Sequence, residues 1–394
     1  MARYLFVVPP LTGHVSPLRG VAAELRARGD QVAWAGPVPE VPRLLGPGET
    51  VYPAGDSAEF EVARRPGALR GFAALKFLWE SYLVPLADAM AGGVAAAVDA
   101  YEPDLLVVDQ QALAGAVVAA RAGLPWATAA STPSELSDPV SAMPKVAAWI
   151  DGLQQGLCDR HGVPAGTGDL RFSPGLVLAF TTEALAGEAI VRPAGELRYV
   201  GAALADRNAY EDFPWERVRG QAKLVVVTFG TANGEPGARF LTTALRAFAD
   251  LPPEFQVVIA DPDGVVPAAG TPNVLAVRWI PQLALIRRAT AVVCHGGHNT
   301  VCESLSHGVP LVVAPIRDDQ PLLAQQVVDS GAGLRLRFDR ATAGDIRDAV
   351  LEVCRTPSYA DHAGRLRESF DRAGGASAAA DHLARFVPAS ARIP

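Results

Sequence analysis

The chain has 394 residues, 49% of them hydrophobic and 20% charged, which is more apolar material than one core usually holds and points to two domains. A net charge of −7 with no basic stripe argues against a nucleic-acid partner. Cys158, Cys294, Cys302 and Cys354 are scattered without the spacing of a disulfide scaffold, which suits a reducing, cytoplasmic setting.

In chain order, RYLFVVPP reads as a strand, too short and too broken by proline for a signal peptide. LTGHVSPLRGVAAELRARGD follows as turn and helix, with Leu18, Val21, Ala22 and Leu25 at helical spacing, Pro17 in the first helical turn and Gly29 as the stop. QVAWAG is the next strand, and residues 37–65 read as loops with short pieces. Residues 66–100 are helical and carry Phe72, Phe77, Trp79, Tyr82, Leu83 and Met90. PDLLVVDQ is a strand, LAGAVVAARAG a helix and PWATAA a strand. A helix-rich insertion with Met143 and Trp149 covers residues 132–166, and GLVLAFTT and ELRYVGAA close the first half. The most apolar stretches are interrupted by Asp109, Gln110, Gln111 or Arg121, short of the roughly 20 residues a transmembrane segment needs.

Residues 206–221 are polar, charged and unpatterned, as expected of a linker. KLVVVTFG restarts the alternation, followed by LTTALRAFADL, QVVIA and VLAVRWI. From Trp279 onward TAVVC is a buried strand, HGGHNT a Gly-rich turn, VCESLSHG a helix stopped at Gly308, PLVVAP a strand and DDQPLLAQQVVDSGAG a helix. The tail is helical and amphipathic. Two runs of alternating strand and helix predict an α/β protein with two doubly wound parallel (Rossmann-like) sheets facing one another across a cleft.

The HGGHNT turn is the most informative piece. Gly296 and Gly297 lack Cβ, so a ligand can approach the backbone, and Asn299 and Thr300 stand where the next helix starts. A helix start offers unpaired N–H groups and partial positive charge, which favour an anion such as phosphate. His295 adds a ring N–H, Glu303 lies one helical turn further in, and Asp319 and Gln320 open the following helix as partners for hydroxyls.

These elements resemble the donor-binding signature of the GT-B-fold glycosyltransferases that use UDP- or TDP-sugars, the superfamily of plant secondary-metabolite and bacterial macrolide and antibiotic enzymes. The matching residues are W-x-P-Q (Trp279, Pro281, Gln282), H-x-G-x-N-[ST] (His295, Gly297, Asn299, Thr300), Glu303, Gly308 to Pro310, and Asp319–Gln320. The resemblance implies that Trp279 stacks on the base while Ile280 and Gln282 hold base and ribose. It implies that His295, Asn299 and Thr300 hold the diphosphate, Glu303 the ribose hydroxyls, and Asp319 and Gln320 the sugar. The turn at 228–231 would touch the diphosphate through Thr231. His298 departs from the family pattern, which carries Trp or a small residue there. The domains implied are an acceptor-binding domain at 1–205, the linker at 206–221, a donor-binding domain at 222–375 and a helix at 376–394 returning to the first domain.

In the first half, His14 follows the first strand, and open parallel sheets place ligands at the carboxyl ends of their strands. An imidazole with an ordinary pKa near ~6.5 can accept a proton at working pH, as transfer to a hydroxyl requires. The plain alternative is a helix-capping or turn-filling histidine. The family's G-H-x-x-P element, matched by Gly13, His14 and Pro17, implies the catalytic base. Asp109, ending the strand DLLVVDQ, would orient it, or else cap the helix that follows. The aromatics Phe72, Phe77 and Trp79, with Met143 and Trp149, would line an apolar acceptor site or serve as core. The expected activity is inverting transfer from a UDP- or TDP-sugar to an apolar polyketide, macrolide or phenolic acceptor. It would need no cofactor or metal, in a monomer or homodimer.

Three other signals are weaker. Asp261-Pro262-Asp263 resembles a metal-binding D-x-D but reads as a solvated turn. Cys294, His295, His298 and Cys302 lack the spacing and further ligands of a zinc site. The competing readings are a nucleotide-sugar 2-epimerase, which needs carboxylates poised at the sugar, and a non-catalytic sugar-nucleotide-binding partner protein.

Overall fold

The computed structural model describes residues 1–60, 69, 71–137, 143–187, 193–204, 213–230, 234–266 and 272–388. The chain divides into two compact units, residues 1–205 with 373–394, and residues 206–372.

The first unit is built on a seven-stranded parallel sheet of β1 (Arg3–Val7), β2 (Gln31–Val38), β3 (Val51–Asp56), β4 (Leu105–Asp109), β5 (Trp126–Ala130), β6 (Leu176–Ala179) and β7 (Glu196–Tyr199), in the order β3-β2-β1-β4-β5-β6-β7. Its central strands are apolar at consecutive positions because both faces are covered. Leu5 and Val7 of β1 join Leu106 and Val108 of β4 in one core, with Met90 and Val94 of the Val84–Tyr101 helix. Tyr4, Phe6, Leu105 and Val107 point the other way, onto Leu18 and Leu25 of the Thr12–Ala27 helix and Leu383 of the Gly375–Phe386 helix. Period-two alternation thus feeds two cores from one strand. The Gly375–Phe386 helix is held to this unit by Arg28, whose guanidinium pairs with Asp381 at 2.5 Å and donates to the Ser377 carbonyl at 3.0 Å.

Three local expectations are corrected. Residues 51–56, read as loop, form the edge strand β3; an edge position tolerates Pro53, whose missing N–H cannot serve an inner ladder. Pro17 lies well inside the Thr12–Ala27 helix, because that helix starts two residues before His14. The helical run Gly71–Tyr101 is long and apolar enough to cross a membrane by length and composition; Trp79, Leu83, Leu86, Met90 and Val94 on it are buried as core.

The second unit has a six-stranded parallel sheet of β8 (Lys223–Thr228), β9 (Phe255–Ala260), β10 (Val274–Val277), β11 (Ala291–Cys294), β12 (Leu311–Val313) and β13 (Gly333–Arg335), in the order β10-β9-β8-β11-β12-β13. Val225, Val227, Val257, Ile259 and Val293 pack on Phe240, Phe248, Ile346 and Val350 of the flanking helices. From residue 213 the stretch expected as a linker is fastened to this unit: Phe213 is buried, and Gln256 bridges the Arg219 N–H and the Arg217 carbonyl at 2.7 Å each.

Candidate active site

In both sheets the strand order reverses at a central pair, β1/β4 in the first unit and β8/β11 in the second. Loops leaving such a pair diverge to opposite faces and open a crevice at the carboxyl strand ends, where ligands bind in doubly wound folds.

At the first crevice, β1 leads into the Thr12–Ala27 helix, whose first turn carries His14. Asp109 is the last residue of β4, and Ser131 comes directly after β5. Neighbouring strand ends therefore bring together residues distant in the chain. His14 Nδ1 lies 2.9 Å from Asp109 Oδ1 and 2.8 Å from Ser131 Oγ. The Ser131 hydroxyl donates to Asp109 Oδ2 at 2.6 Å, and the Gln111 N–H donates to Asp109 Oδ1 at 2.9 Å. Asp109 has no solvent exposure and His14 keeps 8%. With an ionised acceptor on one side and a hydroxyl committed to that acceptor on the other, Nδ1 carries the imidazole proton. Nε2 then holds the basic lone pair.

Ser131 was not singled out from the sequence. It follows PWATAA as Asp109 closes DLLVVDQ, a position that carries no signal until β5 is known to lie beside β4. Tyr82 belongs to the same surroundings. Burial raises its phenol pKa, and the Asp109 charge raises it further.

At the second crevice, β11 ends in the turn His295–Gly297, beside Phe229 from the end of β8 at 6.4 Å between ring centroids. The Gly296 and Gly297 positions are also tight within the protein itself. A Cβ on Gly296, where φ is +86°, would lie 2.8 Å from Val313 Cγ1, and one on Gly297 would lie 2.6 Å from His295 Nε2. These glycines let the protein close on itself and let the His295 ring lie over the turn, before any ligand is considered. Burial lowers the His295 pKa to about 4, so the ring is neutral at working pH, and its Nδ1 meets no hydrogen-bond partner among the described residues.

The His298–Ser306 helix starts at the turn with Gly297 as its N-cap, which has no side chain to offer its first N–H groups. Asn299 and Thr300 occupy that first turn, and Glu303, 5% exposed, sits one turn further. Gln282 Nε2 donates to Glu303 Oε2 at 2.5 Å and approaches Thr300 Oγ1 at 3.4 Å. Glu303 and the W-x-P-Q segment are thus one assembly. Trp279 is 55% exposed, an open aromatic face, while the neighbouring Ile280 side chain is buried.

Asp319 and Gln320 open the Gln320–Asp329 helix as expected. The Gln320 side-chain oxygen accepts from the Ile316 and Arg317 N–H groups at 2.8 and 3.0 Å, so only its amide N–H groups can turn to a ligand. His298 is buried with a ring nitrogen 3.5 Å from Cys302 Sγ. Thr231 lies outside the described residues.

Asp261 is corrected from a solvated to a buried turn residue, its carboxylate accepting from the Val265 and Val266 N–H groups at 3.0 and 2.7 Å. Of the residues read as acceptor lining or core, Trp79 is core at 2% exposure, with the Arg171 guanidinium 5.6 Å from its ring centroid. Phe72 and Met143 are exposed, and the Phe72 ring lies 5.6 Å from that of Trp149.

Residues 202–371 match the family of UDP-glucoronosyl and UDP-glucosyl transferases. Across 94% of this chain and 96% of the relative, the sequence is 28% identical to the 4'-demethylrebeccamycin synthase of Lentzea aerocolonigenes. It is 27% identical to the oleandomycin glycosyltransferase of Streptomyces antibioticus, over 96% of this chain and 89% of that one. The fold superposes on the crystal structure of the glycotransferase of kitacinnamycin with a TM-score of 0.78 and 26% identity, covering 98% of this chain and 99% of that one. Along nearly its whole length the chain resembles, in sequence and fold, the GT-B glycosyltransferases that use UDP- or TDP-sugars. The family match falls on the unit holding the His295 turn, Glu303 and Trp279, whereas the His14 cluster of this glycosyltransferase lies before it.

Proposed function

We propose that this glycosyltransferase moves a sugar from a UDP- or TDP-sugar to a hydroxyl of an apolar polyketide, macrolide or phenolic acceptor, with inversion, in the cytoplasm and without a metal. The observation that carries the reading is the His14–Asp109–Ser131 relay. It fixes the imidazole as an Nδ1–H tautomer with Nε2 basic, which is what deprotonation of a hydroxyl needs. The acceptor O–H proton passes to Nε2 as the oxygen forms its bond to the anomeric carbon. The bond from that carbon to the diphosphate breaks on the opposite side, and its electron pair leaves with the diphosphate. Stabilising the departing charge falls to the uncapped start of the His298–Ser306 helix.

Trp279 would stack on the base, while Glu303, held by Gln282, would accept from ribose hydroxyls. The exposed Phe72 and Met143 support an apolar acceptor, in keeping with relatives named for antibiotic products. The test is incubation with α-linked UDP- and TDP-sugars and an alcohol acceptor, with the product's anomeric configuration read by NMR. A β-linked product is expected. A retained configuration contradicts inversion, an epimerised donor supports an epimerase, and binding without turnover supports a non-catalytic role.

A further inference from the structure

The turn after β5 is fastened at both ends. Ser131 opens it and bridges His14 and Asp109. The Thr132 carbonyl accepts from the Gln110 amide and from the Glu135 N–H, at 3.2 Å each. The short helical turn Pro133–Ser137 follows, and Glu135 on it is the far anchor: its carboxylate accepts from Arg171 Nη1 at 3.1 Å.

Arg171 is itself fixed where it meets Glu135. Asp169 takes another edge of the guanidinium in a two-point contact, with Nε and Nη2 donating at 3.0 and 2.6 Å. The flat group lies 5.6 Å from the ring centroid of the core residue Trp79 and 5.4 Å from that of Phe172. A planar fork held in this way aims Nη1 along one line. Next to Glu135, Leu136 shares a small core with Phe172 and Ala179. That packing sets how deep the turn sits, but it is non-directional and leaves the rotation of the turn open.

We infer that the Arg171–Glu135 ion pair is a positioning device for the catalytic relay: it sets the rotation of the turn after β5 and so holds Ser131 Oγ on both His14 Nδ1 and Asp109 Oδ2. The inference rests on the transferase reading above. Ser131 Oγ meets these two atoms at 2.8 and 2.6 Å, and an oxygen that bridges two partners loses one of them when its backbone shifts. Arg171 and Glu135 act through Ser131, and not on the reacting atoms.

The test is a double-mutant cycle with two readouts. Glu135→Ala removes the anchor and leaves Arg171 paired with Asp169. Its kcat is expected to fall about three- to tenfold, no further than that of Ser131→Ala, with KM for the donor kept. Glu135→Gln still offers Arg171 an oxygen and should recover most of the loss. In the Ser131→Ala background, Glu135→Ala should cost nothing more. The second readout needs no turnover: the downfield Nδ1–H proton resonance of His14, assigned by its absence in His14→Ala, should broaden in Glu135→Ala and return in Glu135→Gln. If Glu135→Ala does not fold, Arg171→Lys replaces it, since one ammonium cannot serve Asp169 and Glu135 in the same geometry. A loss of equal size with and without the Ser131 hydroxyl overturns the inference, as does an unchanged kcat and resonance in the folded variant. No transfer by the wild type to any acceptor overturns the transferase reading instead, and the resonance then decides whether the pair holds the turn.

Discussion

Ser131 Oγ stands 2.8 Å from His14 Nδ1, although 117 residues separate them. The contact exists because β1, β4 and β5 are neighbours in the sheet and release their chains at the same edge. Asp109 binds both partners, one with each carboxylate oxygen. Asp109→Asn replaces a pure acceptor by a group that can present N–H to Nδ1, which favours the wrong tautomer. We expect kcat to fall by about 100-fold or more, with donor affinity kept. Ser131→Ala leaves the carboxylate on the imidazole and should cost less than about tenfold. Equal losses in the two variants would show that the hydroxyl sets the ring as much as the carboxylate does, against the lesser role assigned to it.

Glu303 and Gln282 share a charge-assisted hydrogen bond at the proposed ribose position. Glu303→Ala is expected to raise KM for a UDP-sugar by about 10- to 100-fold, the loss of one or two such bonds, with kcat little changed. A deoxyribose offers one hydroxyl fewer, so the effect on a TDP-sugar should be smaller. Calorimetric titration of UDP and TDP against both proteins measures the difference directly.

Trp279 is more than half exposed, so its ring contributes little to the core. Trp279→Ala should leave Tm nearly unchanged and weaken nucleotide binding by about 1–3 kcal/mol, the range for base–aromatic stacking. Trp279→Phe should recover most of the loss. A large fall in Tm for the alanine variant would make the tryptophan a packing residue instead.

His295 provides a pH signature. Its folded pKa is depressed to about 4 by burial, against ~6.5 when unfolded. Between those values the unfolded chain binds a proton that the folded one refuses, so stability falls as pH drops from about 6.5 towards 4 and is unaffected above. The span corresponds to about 3 kcal/mol at most. His295→Gln should flatten that part of the denaturation profile. A profile identical in the two proteins would mean that the ring titrates normally.

Much of this was legible in the sequence, for physical reasons. Strands covered on both faces must be apolar at successive positions, so β1, β4, β8 and β11 stand out as runs. Residues at their carboxyl ends, His14, Asp109 and His295, then become candidates. β3 was hidden because an edge strand needs no such run and admits Pro53 and Gly55. Ser131 was hidden because a serine after a strand looks like any turn residue until strand order makes β4 and β5 neighbours. Trp79 and Phe72 both read as helical aromatics, yet one is core and the other exposed, a distinction that depends on which helix face meets the sheet. The glycines of the His295 turn were visible, but their first role, making room for Val313, Gln320 and the His295 ring, depends on contacts across the fold.

The central claim is that the His14 imidazole takes the acceptor proton. It is tested most directly by the single-turnover rate of His14→Ala on an alcohol acceptor at saturating donor, with nucleotide affinity measured on the same preparation. We predict a loss of at least about 100-fold in rate, within the range for removal of a general base, with affinity for UDP or TDP unchanged. Near-normal turnover by the folded variant would contradict the account.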